Sequence, residues 1–237
     1  MSVYALLHQC VGHRYYHWMG FVLFLSLGLV SGISGYSAYA KNAPTDHQAA
    51  QDLVAYFKDI TSLETAFEQI TLDAAQVNLQ GFMGILRFKK PAYFYYETEA
   101  PHNQVITIKQ HHNTKQAWIY DRDLAQVTVQ PLEQQLIQTP LTLFINPDIT
   151  SLQQHFHVRA GKLSKNGRRQ FELSARDQDR LYEKIRFHFA NHQLYEIQIE
   201  DSLGQKTVIT FENAIYNQPI DTKSFDLVLP EGVDILR

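Results

Sequence analysis

Beyond residue 40 the chain carries eight histidines, and three groupings invite a metal: His111-His112, His155-x-His157, and His188 with His192. Read as a strand, the second grouping turns both imidazoles to one side. A zinc or copper site would need an acidic or thiolate ligand at a fixed spacing as well. None accompanies these pairs, so they read as polar strand edges and loop residues, with His111 and His112 in a turn. Glu97, Glu99, Asp121 and Asp123 fall at strand ends, where solvated charge is the ordinary state of a carboxylate. There is no G-x-S-x-G, no H-E-x-x-H, no phosphate-binding glycine loop and, past residue 10, no cysteine. The expectation is a protein that is not an enzyme and holds no metal or cofactor.

The run Tyr93-Phe94-Tyr95-Tyr96 says more, since it follows Lys89-Lys90-Pro91 and precedes Ala100-Pro101. Strand alternation puts Phe94 and Tyr96 on one face and Tyr93 and Tyr95 on the other. Two readings fit: a sheet core with tyrosines on the solvent side, or the wall of an apolar ligand pocket.

Of 237 residues, 45% are hydrophobic and 19% charged, with 21 Lys+Arg against 24 Asp+Glu, a net charge of -3. Without a basic cluster, nucleic acid is excluded as a partner. Trp18 to Ile33 is apolar apart from Gly and Ser and is followed by Ser37-Ala38-Tyr39-Ala40. A run this short of the roughly 20 residues of a spanning helix, with small residues at 38 and 40, reads as a secretory signal cleaved after Ala40. Removing residues 1–40 takes one Arg and no acid, leaving 20 Lys+Arg against 24 Asp+Glu, and takes Cys10 as well. The mature chain, 41–237, is expected to be a mildly acidic single domain without disulfides.

Ala50, Leu53, Val54, Phe57 and Ile60 share one helical face, with Thr45 or Asp46 as cap. From Leu63 the period becomes two, and strand readings recur at Val77–Phe88, Ala92–Thr98, Gln104–Ile108, Gln116–Tyr120 and Ala125–Val129. The intervening turns are too short for crossover helices, so the pairing is antiparallel. Two short helices fit Leu132 to about His155, with Thr139-Pro140 opening one and Asn146-Pro147-Asp148 separating them. Strands resume at His155–Arg159, Arg169–Ser174, Glu183–Ala190, Gln193–Glu200, Lys206–Asn213 and Phe225–Leu229. The fold class is mainly β (α+β), with eleven or twelve antiparallel strands. If they form one curved sheet with the helices laid across its mouth, they enclose an apolar volume.

Gly84-Ile85-Leu86-Arg87-Phe88-Lys89-Lys90-Pro91-Ala92-Tyr93-Phe94-Tyr95-Tyr96, followed by Pro101, Trp118-Ile119-Tyr120-Asp121 and Thr139-Pro140-Leu141, resembles the outer-membrane lipoprotein carrier family, LolA. Phe67-Glu68-Gln69, Asp201 to Thr207 and the ending from Phe225 to Asp234 extend the likeness over Gln51 to Asp234. The resemblance implies an unclosed antiparallel β-barrel with an α-helical lid, working in the periplasm as a monomer. It also implies a cargo of acylated lipoproteins, taken from an inner-membrane lipoprotein-releasing ABC transporter and delivered to an outer-membrane receptor.

With the container reading, this gives a cavity lined by Phe67, Phe82, Leu86, Phe94, Tyr96 and Trp118, and a lid built from Leu53, Phe57, Pro140, Leu141 and Phe144. Phe94 is expected at the mouth, within reach of water. The family's arginine before the strand proline, whose donors hold lid carbonyls, falls on Lys90. A lysine lacks the planar fork, which implies weaker closure or a role shared with Lys89 or Arg87. The nearest rival is the receptor of the same fold, itself a lipoprotein; its acylated cysteine would follow the apolar run, and Cys10 precedes it. A periplasmic sensor domain on the same fold is the other.

Overall fold

The computed structural model describes residues 46–111, 114–132, 141–145, 147–176 and 182–237. The signal segment, Thr45, His112 and Pro140 lie outside the described residues. Helix α1 (Asp46–Lys58) buries Ala49, Ala50, Leu53, Val54 and Phe57 as the apolar face requires. The short helices α2 (Leu141–Ile145) and α3 (Ile149–His155) follow the expected break, and Asp148 caps α3 by accepting from the Ser151 amide at 2.7 Å. His155 therefore ends a helix while His157 lies on the next strand, so the two do not share a strand face.

The strands are β1 (Ser62–Leu72), β2 (Asn78–Lys89), β3 (Tyr93–Thr98), β4 (Gln104–His111), β5 (Thr114–Asp121) and β6 (Gln126–Pro131) in the first half. The second half supplies β7 (Phe156–Ala160), β8 (Arg168–Ala175), β9 (Tyr182–Ala190), β10 (Gln193–Asp201), β11 (Lys206–Tyr216) and β12 (Asp234–Leu236). They form one sheet in the order β12-β6-β5-β4-β3-β2-β1-β11-β10-β9-β8-β7, so β12 and β7 are its two edges and the barrel is unclosed. Asn191 (φ 49°) and His192 (φ 66°) both take positive φ in the two-residue turn between β9 and β10, the geometry that matches strand twist.

The end of the chain departs from expectation. Phe225–Leu229 alternates like a strand but joins no ladder; after a 3-10 turn at Thr222–Phe225 the chain crosses the sheet, and β12 pairs with β6 in parallel. The other pairings are antiparallel.

Register assigns the faces. Thr65, Leu86, Tyr96, Ile106, Ile119 and Thr128 stand side by side across β1 to β6, and Phe211, next to Phe67 on β11, continues the same face. This inner face receives the helices. The outer face differs along the sheet. Over β8 to β10 it is a solvated ion ladder, Arg186 joining Glu172 at 2.8 Å and Glu200 at 3.3 Å. Over β4 to β6 it is apolar and covered by Leu227, Leu229 and Val233 of the returning chain.

Candidate functional site

The inner face is an aromatic wall whose rings are placed by strand register. Phe67 and Tyr96 stack at 4.7 Å and 19°. This is possible because Gly84 lies opposite Phe67: a Cβ there would stand 2.8 Å from Cζ of Phe67 and 1.9 Å from the Glu97 carbonyl oxygen. Burial pushes the Tyr96 phenol far above its ordinary pKa.

The helices close over this wall ring by ring. Phe57 of α1 meets Phe187 at 5.1 Å and Phe144 of α2 at 5.0 Å, and Phe144 meets Phe88 at 5.6 Å, all nearly edge to face. β2 and β9 stand four places apart in the sheet, and the ring contacts from Phe88 through Phe144 and Phe57 to Phe187 bridge them on the inner face.

At its first residue α1 is pinned by Asp46, which accepts from the Val158 amide, from His157 at 3.0 Å and from Arg176 at 3.0 Å. Burial raises the Asp46 carboxyl, but the Val158 amide, His157 and Arg176 outweigh it and hold it below the usual range. Midway, Asp52 pairs with Arg169 at 3.1 Å and Tyr56 stacks on His192 at 4.3 Å. At the far end the Lys90 ammonium donates to the carbonyls of Phe57 at 3.1 Å and Lys58 at 2.7 Å, and Asn217 donates to the Asp59 carbonyl at 3.0 Å. Burial lowers the Lys90 pKa, with Asp59 pulling the other way. Helix α2 is five residues long; Leu143, Phe144 and Ile145 are buried, and the Phe144 ring sits against Phe57 and Phe88.

Lys90 thus reaches two lid carbonyls without the planar fork. The alternates are engaged elsewhere: Lys89 donates to the Ile220 carbonyl at 2.7 Å, and Arg87 pairs with Glu64 at 3.0 Å on the outer face.

Leu53, Phe57, Phe67, Phe82, Leu86, Phe94, Tyr96 and Phe144 are all buried, and register puts Phe67, Phe82, Leu86, Phe94 and Tyr96 on the inner face. Two expectations are corrected. Trp118 pairs with Thr107 and Val129 and faces outward, packed in the cluster of Val105, Tyr120, Val127 and Val129 under the returning chain. Phe94 is not at a watery mouth; it is 1% exposed, paired with Phe88 and Ile108. Leu141 opens α2, and Pro140 lies outside the described residues. Sequence reasoning missed Phe88, Phe187, Phe189 and Gly84 as parts of the wall, though the period-two pattern carries the three rings.

A pocket of about 270 Å³ lies between Pro91–Tyr93, Ile108 and the 3-10 turn, lined by Thr222, Phe225 and Asp226. It is smaller than the usual 300–1,000 Å³ of ligand sites and is lined by none of the lid rings.

The family profile described as Outer membrane lipoprotein carrier protein LolA matches residues 58–228. The outer-membrane lipoprotein carrier protein of Hahella chejuensis is 33% identical over 213 residues, covering 90% of this chain and 97% of that protein. That of Azotobacter vinelandii is 32% identical over 198 residues, covering 82% and 91%. Among solved structures, a LolA superfamily protein from Nitrosomonas europaea is similar with a TM-score of 0.43 and 15% identity, covering 75% of this chain and 97% of that one. The matched span runs from the end of α1 through the sheet to the returning segment, and the chain belongs to the outer membrane lipoprotein carrier protein LolA family.

Proposed function

We propose that this protein is a periplasmic chaperone that shelters the acyl chains of lipoproteins released from the inner membrane by an ABC transporter and delivers them to an outer-membrane receptor. Residues 1–40 act as the cleaved export signal, and the working form is a monomer. The observation that carries the reading is the aromatic inner wall of an unclosed sheet, covered by the Phe144 ring from the short helix α2.

The energetics fit such a task. At about 0.8 kcal/mol per methylene, a chain of about 15 carbons resists water by roughly 12 kcal/mol, so an acylated protein needs a shelter to cross an aqueous compartment. Release without ATP then demands that the shelter not bind too well. Phe144 answers this physically: in the empty protein its ring occupies wall that cargo needs, so binding is reduced by the contacts the protein already makes with itself. Leu53, Phe57, Phe67, Phe82, Leu86, Phe94 and Tyr96 form the acyl surface in this reading, the Phe144 ring is the part that gives way, Lys90 fastens α1, and Pro140 and Leu141 are assigned to cargo binding with them. Trp118 has no part in it.

Mass spectrometry of the protein purified natively from the periplasm tests the reading. Acylated lipoprotein should co-purify, and the N-terminus should be Lys41. A chain that retains Trp18 to Ile33 and carries no acylated cargo would favour an anchored sensor.

A further inference from the structure

Two buried side-chain polar atoms among the described residues have no hydrogen-bond partner: Nε2 of His188 and Oγ1 of Thr128. His188 stands on the outer face, where the Glu196 carboxylate lies 3.6 Å away. Thr128 ends the inner-face row that runs from Thr65 through Tyr96 to β6, and its cross-strand neighbours there are apolar, Ile119 on β5 and Leu236 on β12. The buried threonines of the sheet are satisfied by contrast. Thr65 donates to the Glu212 carbonyl and Thr107 to the Phe225 carbonyl, both at 2.9 Å, Thr98 donates to the His102 carbonyl, and Thr71 meets the Thr207 hydroxyl at 3.3 Å. A buried hydroxyl without a partner costs free energy that valine, of the same shape and the same strand preference, would not. The position is also a boundary. Thr128 as a whole is partly exposed, Leu236 beside it is 49% exposed, and β12 is an edge at which the barrel is left unclosed.

We propose that the Thr128 hydroxyl is the donor for an acyl ester carbonyl of the cargo, and so sets the point at which an acyl chain passes from the wall to water. The inference rests on the carrier reading and adds one polar contact to it. An acyl ester joins an apolar chain to a hydrated head, and its carbonyl oxygen, drawn against the sheet, must find a donor or lose its hydration uncompensated. Thr128 offers that donor where the two environments meet, with buried Ile119 and Ile106 inward along the row and exposed Leu236 outward. The hydroxyl hydrogen turns about its C–O bond to suit an acceptor, so no bond within the empty protein has to break when the carbonyl arrives. The chain then lies across Ile119 and Ile106 toward Tyr96 and Leu86, and the head leaves past β12. One neutral hydrogen bond orients the cargo while adding little to an affinity that must still permit release.

The test is calorimetric titration of the purified protein with two synthetic dipalmitoyl lipopeptides, alike except that the chains are joined by ester or by ether bonds. The wild type should hold the ester form about 3- to 10-fold tighter, the worth of an added hydrogen bond. Thr128→Val should bind both forms alike, at the wild-type affinity for the ether, and should melt no lower than the wild type, since it loses no bond made in the empty protein. Thr128→Ser, which keeps the hydroxyl, should keep the preference. Equal binding of ester and ether by the wild type overturns the subsite and leaves the carrier reading standing, and so does an ester preference that survives in Thr128→Val. Binding of neither form overturns the carrier reading itself. A Thr128→Val protein that melts lower and loses ether binding as well gives the hydroxyl a structural role and overturns the subsite. Ester- and ether-linked phosphatidylcholine run alongside: a preference confined to the lipopeptides assigns the subsite to lipoprotein cargo, and one shared by both lipids assigns it to any acyl ester.

Discussion

The ammonium of Lys90 donates to the backbone carbonyl of Phe57 at 3.1 Å, and the ring of that same Phe57 packs against Phe144. One residue therefore ties the fastening of α1 to the plug over the wall. A cation at a helix C-terminus, where carbonyls lack intrahelical partners, satisfies both the hydrogen bond and the helix dipole. Lys90→Met should lower stability in urea by about 1–2 kcal/mol. Lys90→Arg, which keeps charge and donors, should stay within about 0.5 kcal/mol of wild type. Equal stability of all three would show that these contacts carry no energy.

Phe144 is 1% exposed between Phe57 and Phe88. Phe144→Ala should destabilise the empty protein by about 3–5 kcal/mol if the neighbours do not collapse. It should also tighten the hold on an acylated lipopeptide about tenfold or more, because the competing ring is gone. Thermal melts and titration calorimetry read the two effects. A variant that is less stable and also binds more weakly would mean that Phe144 helps hold cargo rather than exclude it.

The Asp46 carboxyl gives a pH dependence of known sign. Its folded pKa is held below the ordinary 3.8, so the stability from its contacts is fully present above that value and is lost as pH falls through the folded pKa. The Val158 amide, which donates to Asp46, should titrate in NMR with an apparent pKa below 3.8, and this step should vanish in Asp46→Asn. A midpoint above 4 would contradict the assignment.

Gly84→Ala tests the packing of the wall itself. Its Cβ would meet the backbone oxygen of Glu97, which cannot swing away as a side chain does, and the ring of Phe67. A loss of about 1–3 kcal/mol is expected, with a change in near-ultraviolet circular dichroism as the Phe67–Tyr96 stack is disturbed. Unchanged stability would mean that β2 and β3 move apart freely here.

Much of this arrangement is legible in the chain because β1 to β3 bury one face only. Leu63, Thr65, Phe67, Gln69 and Thr71 alternate cleanly, so the inner face could be read from the period alone. Trp118 could not be read this way. On β5 both faces are apolar, since the returning chain covers the outer one, and alternation then says nothing about which side is which. Phe225–Leu229 misleads for a related reason: its alternation records packing of Leu227 and Leu229 onto a sheet face, and not membership of a ladder. The grip of Lys90 on α1 joins residues more than thirty positions apart and has no local signature. Phe94 shares the Tyr96 face as its spacing requires, but its depth depends on the lid, which no strand pattern reports.

The central claim is that cargo and the ring of Phe144 contend for the same wall, and hydrogen–deuterium exchange of residues 141–145 during titration with a triacylated lipopeptide tests it most directly. The account predicts that these amides lose protection as the lipopeptide saturates, while those of α1 from Ala49 to Phe57, fastened by Asp46, Asp52 and Lys90, keep theirs. Saturation of the protein with the protection of residues 141–145 unchanged would contradict it.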